Sequence, residues 1–145
     1  MLGSQRWRSN WRVVSPAGGT RLELPRSRRR RRELERDVRE LPAGTPVVLC
    51  AAAPGAAGRC RSFAARTGIQ LERRYLAFPS AAAPGYLVEE SAAPVGVFVE
   101  MVLVAPPGTV LSTPIGAGLG VLRALGPWRL TRRLAPGRVI VGRRT

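Results

Sequence analysis

The chain has 145 residues, enough for one hydrophobic core but not for two full-sized ones. Its formal net charge of +15 attracts polyanions, yet all 24 basic residues are arginine, on an alanine-, glycine- and proline-rich background of the kind a G+C-rich genome imposes, which lowers the weight of that charge as a sign of nucleic acid. The absence of histidine removes the commonest general base, the Ser-His and Cys-His nucleophile pairs and most zinc and iron sites.

Residues 1–10 read as a disordered basic arm. They hold arginines and no apolar run, so no secretory signal is expected and the location is read as cytoplasmic. Trp7 and Trp11, among Arg6, Arg8 and Arg12, suit base stacking or a lipid interface, but a frayed arm with Trp11 packed on the body is the plainer reading. Residues 11–145 are expected to form a single α/β domain: a small Rossmann-like mixed sheet with an N-terminal β-hairpin, flanking helices and a C-terminal apolar helical pair. Trp11 to Val14 and Thr20 to Leu24 supply the hairpin, because Thr20, Leu22 and Leu24 alternate with Arg21 and Glu23.

A helix is predicted over Arg26 to Leu41, with Ser27 as N-cap, a narrow apolar stripe of Leu34, Val38 and Leu41, and Pro42 as terminator. Arg31–Glu35, Glu35–Arg39 and Arg36–Glu40 stand at i,i+4, so mutual pairing along the helix is expected. The run Arg28 to Arg32 lies at the helix N-terminus, where the macrodipole disfavours cations, and reads as a solvated face or a phosphate grip.

Pro46 to Ala52 is continuously apolar, as expected of a strand covered on both faces. A turn at Pro54 to Gly58 then leads into a helix with Ala56, Cys60, Phe63, Ala64 and Thr67 on one side, and Gly68 as its C-cap. Ile69 to Phe78 is the return strand, parallel to the first through a right-handed crossover. The two cysteines, Cys50 and Cys60, match no metal or redox spacing and read as small buried hydrophobes; no metal site is expected. Open α/β sheets bind ligands at the carboxyl ends of their strands. Gly55 and Gly58 as backbone donors, Arg59 as an anion clamp and Ser80 after the return strand are therefore the anion- or ligand-binding candidates, while catalytic residues and cofactor stay unknown. Glu89 and Glu90, the adjacent carboxylates, alternate across a strand and are not an acid-base pair.

Tyr75 to Pro79 and Tyr86 to Glu89 read as an antiparallel hairpin at the sheet edge. Leu41 to Leu49, the helix ending Ala65-Arg-Thr-Gly68 and the strand and hairpin after it resemble the C-terminal half of class I S-adenosylmethionine-dependent methyltransferases over residues 41–89. The resemblance implies a strand, a helix and a final antiparallel pair. It carries over no cofactor residue, since the family's glycine-rich loop and the acid after its second strand have no counterpart before Leu41. It would make this chain a fragment, a remnant or a partner subunit of a larger transferase.

Residues 91–128 are the most apolar stretch. Ser91 and Pro94 open a predicted helix through Leu103, and Thr113-Pro114 a second through Leu125. Helices of about 12 residues span about 18 Å, short of a hydrocarbon core of about 30 Å. Either they cover the sheet as core, or they face a membrane with Phe98, Val102, Leu119, Leu122, Trp128 and Arg129 at its boundary. Arg138 to Gly142 closes the chain as a short strand. The expected function is an accessory or truncated transferase-like domain, docked peripherally on the anionic inner membrane surface in envelope or lipid-linked glycan metabolism. A methyltransferase-like protein and a nucleic-acid-binding module using Arg28 to Arg32 are the alternatives.

Overall fold

The computed structural model describes residues 14–101 and 127–145. The chain divides into two compact units, residues 1–87 with 136–145, and residues 88–135.

The first unit is built on a mixed α/β arrangement. Its strands are β1 (Thr20–Glu23), β2 (Pro46–Ala52), β3 (Ile69–Phe78), β5 (Gly137–Arg144) and the start of β4 (Tyr86–Glu89), which continues past residue 87, and its helices are α1 (Arg28–Arg39) and α2 (Ala56–Thr67). Strand order is β1-β2-β5-β3-β4. β1 runs parallel to β2, whereas β5 is antiparallel to both β2 and β3. The β2–α2–β3 crossover thus joins two strands of like direction, as the sequence implied, but they are split by the last strand rather than adjacent. Of the expected N-terminal hairpin, the second arm, β1, pairs in parallel with β2. Thr20 sits opposite Val47 and Leu22 opposite Leu49, and Val14 lies in a helical turn; residues 11–13, the rest of the expected first arm, fall outside the described residues.

Sequence periodicity decides which faces are buried. Leu34 and Val38 of α1, with Leu41 just past its end, and the side of α2 carrying Ala56, Cys60, Phe63 and Ala64 close over Val47, Leu49, Ala51, Ile69 and Ile140 of the sheet. The other sheet face gathers Val48, Cys50, Ala77, Val139 and Val141, with Ala81 buried among them and Val14, Tyr75 and Leu87 packed at the margin. Glycine is required where β5 crosses the bulge of β3 between Leu71 and Arg73, because a Cβ on Gly142 would lie 2.3 Å from the Gln70 carbonyl oxygen. Gly68 ends α2 at φ 65°, and its carbonyl accepts both the Thr145 amide (2.8 Å) and the Thr145 hydroxyl (2.7 Å).

Within the second unit, α3 (Ala92–Met101) starts directly after Ser91, with Pro94 in its first turn where a missing amide hydrogen costs nothing. A further helix, α4 (Pro127–Leu134), packs on α3. Glu90 pairs with Arg132 at 2.9 Å, and the Arg132 guanidinium stands 5.6 Å from the Trp128 ring centroid. The predicted helix over 113–125 lies outside the described residues.

Candidate functional site

The turn from β2 into α2 presents acceptors rather than donors. Chain leaving a strand end has lost its ladder partners, so its carbonyls must find donors elsewhere, and Pro54 contributes no amide hydrogen. Arg59 donates to the Ala52 and Pro54 carbonyls and Arg26 to the Ala53 carbonyl. Three successive carbonyls are thereby capped by two guanidinium groups, and the Nε of Arg59 is buried without an acceptor. Gly55 holds the left-handed conformation that starts α2, at φ 71°, and Gly58 lies exposed in the first turn of that helix. Ser80 is used locally, its hydroxyl oxygen accepting the Ala83 amide at 3.1 Å.

Basic side chains converge instead between the two helices. Helical spacing puts Arg59, Ser62 and Arg66 of α2 beside its buried face and opposite Arg28, Arg31 and Arg32 of α1. Together with Gly58 and Glu35 they line a groove of about 490 Å³. The helices are clasped at its far end. Arg66 Nε donates to Glu35 Oε1 at 2.8 Å, and Arg39 Nε and Nη2 donate to the Arg66 carbonyl at 3.2 and 3.0 Å. Glu35 is only 8 % exposed and pairs across to α2, instead of along its own helix with Arg31 and Arg39. A second groove, of about 840 Å³, follows α1 past Arg28, Arg29, Arg32, Arg36 and Arg39, with Glu33 and Glu35. Arg29 is partly neutralised by Glu33 at 3.4 Å. Among the described residues Arg28, Arg31, Arg32 and Arg36 form no ion pair or side-chain hydrogen bond. The run Arg28 to Arg32 was visible in the sequence; Ser62 and Arg66 were not picked out, although their spacing from Arg59 on one helix was a usable signal.

Both cysteines are buried and neither forms a disulfide. Burial pushes the Cys50 thiol from 9.0 up to about 11, opposed in part by the charge of Arg21 and a hydrogen bond from it. A thiol raised in the folded state contributes stability that is complete below pH 9.0 and is lost as pH rises through about 11. Native protein is therefore expected to give almost no reaction with a disulfide reagent at pH 8 and two thiols once denatured, and its melting temperature to fall between pH 9.0 and 11 more steeply than that of Cys50→Ala. Rapid native labelling, or identical pH profiles, would refute this. Among the described residues no group of His, Cys, Asp and Glu is placed to hold a metal ion.

Of the residues assigned to a membrane face, Phe98 is 6 % exposed and its ring is spent inside the chain, while its neighbour Val97 is 54 % exposed. Trp128 is half-buried under Arg132, and Arg129 falls within α4. Val102, Leu119 and Leu122 lie outside the described residues. No helix among the described residues is long and apolar enough to cross a membrane. No protein-family model, curated protein or solved structure matches the chain.

Proposed function

We propose that this chain docks on phosphate polyanions through α1, with the phosphodiester backbone of a nucleic acid strand as its partner. The observation that carries the reading is the set Arg28, Arg31, Arg32 and Arg36, which lines the two grooves beside α1 without acidic partners among the described residues. Successive members at i,i+4 stand about 6 Å apart along the axis, a step suited to neighbouring phosphates of an extended strand. Cations in the first turn oppose the macrodipole, so this helix end is electrostatically frustrated and a bound anion relieves it. Guanidinium forks match phosphate oxygens. Among the described residues no aromatic side chain lines either groove, so contacts to phosphate rather than stacking on bases carry the binding, and little sequence preference is expected.

Fluorescence anisotropy with a labelled single-stranded oligonucleotide tests this. With about four phosphates neutralised, log K is expected to fall with log salt at a slope of about −3, and the triple variant Arg28→Gln, Arg32→Gln, Arg36→Gln to flatten it by about 2. Equal binding and equal slopes for wild type and variant would sink the proposal.

A second reading, peripheral docking on the anionic inner membrane surface as a transferase-like accessory domain, is supported by Val97 and by Leu134, 65 % exposed beside exposed Arg132 and Arg133. Its signature is co-sedimentation with anionic vesicles that survives high salt. A third reading rests on the methyltransferase resemblance over residues 41–89; equilibrium dialysis against S-adenosylmethionine measures whether that likeness extends to cofactor binding.

A further inference from the structure

We infer that the groove between α1 and α2 takes a terminal phosphate, a phosphomonoester at the end of a strand whose diester backbone runs along α1; this rests on the docking reading above. The two grooves share Arg28, Arg32 and Glu35, so a strand lying along α1 reaches the inner groove over those side chains without leaving basic surface. The inner groove differs in kind from the outer one. It adds Arg31, Arg59 and Arg66, the hydroxyl of Ser62 and, at Gly58, a floor with open space where a side chain would stand.

Its donors are of two sorts. Arg59 is fixed by the Ala52 and Pro54 carbonyls and Arg66 by Glu35, which presents two guanidinium groups in set positions. The side chains of Arg28, Arg31, Arg32 and Ser62 have no hydrogen bond or ion pair among the described residues and are available to incoming oxygens. Glu35, the one carboxylate among the described lining residues, is turned to Arg66 at 2.8 Å. A diester carries one charge, whereas a monoester carries close to two at neutral pH and offers three acceptor oxygens. Five guanidinium groups in a recess between two helices therefore favour the monoester more than an open face would. The first turn of α2, at Gly58, adds the positive end of its dipole. A volume of about 490 Å³ holds a group the size of a nucleotide.

The test compares anisotropy titrations of one oligonucleotide bearing a 5′-phosphate, a 3′-phosphate or hydroxyls at both ends, at fixed ionic strength. One phosphorylated end is expected to bind about tenfold tighter than the hydroxyl-ended strand. Arg31→Gln, which touches only the inner groove, and Ser62→Ala are each expected to shrink that difference. Arg36→Gln, in the outer groove, is expected to weaken all three strands and keep it. Inorganic phosphate is expected to abolish the preference without displacing the hydroxyl-ended strand. Tight binding with no preference for a phosphorylated end overturns this inference and leaves the docking reading standing. Binding of the phosphorylated strand alone overturns the docking reading, and with it the course of the strand along α1, leaving only the phosphate seat in the inner groove; no binding of any strand overturns both. A preference untouched by Arg31→Gln and Ser62→Ala also overturns the assignment to this groove.

Discussion

Gly142→Ala is expected to lower the unfolding free energy by about 3 kcal/mol, the upper end of the ordinary overpacking range, and the melting temperature by about 10 °C. The added carbon would sit 2.3 Å from the Gln70 carbonyl oxygen and 3.0 Å from the Ile69 side chain. The first obstacle is backbone, held in register by hydrogen bonds between β3 and β5, so relief requires moving a strand that is itself paired. β5 has no room on the far side either, since Gly142 also stands opposite Val47 of β2. The comparison is Gly96→Ala in α3, where nothing lies within 4 Å of the new carbon and the change is expected to stabilise by up to about 1 kcal/mol through helix propensity. Urea titrations of both variants measure the difference. Equal midpoints for Gly142→Ala and wild type would mean that the close approach of β5 to β3 is not a feature of the folded protein.

Phe63→Ala is expected to cost about 3–5 kcal/mol, a large part of a typical domain stability of about 5–15 kcal/mol. Phe63 heads the fully buried side chains and sits where α1, α2 and the sheet meet. Two properties of α2 raise the stakes. It has 12 residues, too few to persist by propensity alone, and its N-cap is a glycine with no side chain to accept an amide. Its position depends on the ring. Because Arg59, Ser62 and Arg66 ride on α2, the loss of packing is expected to carry over to anion binding. Denaturant midpoints with an unchanged m-value, together with weaker anisotropy binding under native conditions, are the expected pair of results. A midpoint within experimental error of wild type would remove Phe63 from the core.

Local pattern made α2 legible to the residue. Ala56, Cys60, Phe63, Ala64 and Thr67 are the buried side of that helix, and Gly68 its left-handed end, because spacing and the conformational freedom of glycine act within a few residues. The bounds of β2 and β3 were readable for the same reason. Partnership between distant segments was not. The alternation of Thr20 and Leu22 identifies an inward face but is silent on whether the neighbour is an earlier strand or β2. Val139-Ile-Val141 is a continuous apolar run like that of β2, the mark of a strand covered on both faces, yet three residues among arginines show only a short strand added to the sheet and not its place at the centre. Glu35 illustrates the limit at the site. On one helix its i,i+4 neighbours Arg31 and Arg39 look like its partners, and only the packing of α2 against α1 brings Arg66 to 2.8 Å. Arg59, chosen as an anion clamp because it follows a glycine turn, spends two nitrogens on carbonyls whose need for donors arises once the strand has ended.

The seat of β5 between β2 and β3 has a consequence for the order of events during synthesis. A ribosome delivers β2, α2 and β3 well before residues 137–144, so the nascent chain carries two facing strand edges with unfilled hydrogen-bonding rows until its last strand emerges. Such edges are templates for pairing with other chains, and long-range strand insertion is slow. The decisive step of folding this sheet thus waits for residues 137–144, and until they emerge the nascent chain has need of a holding chaperone.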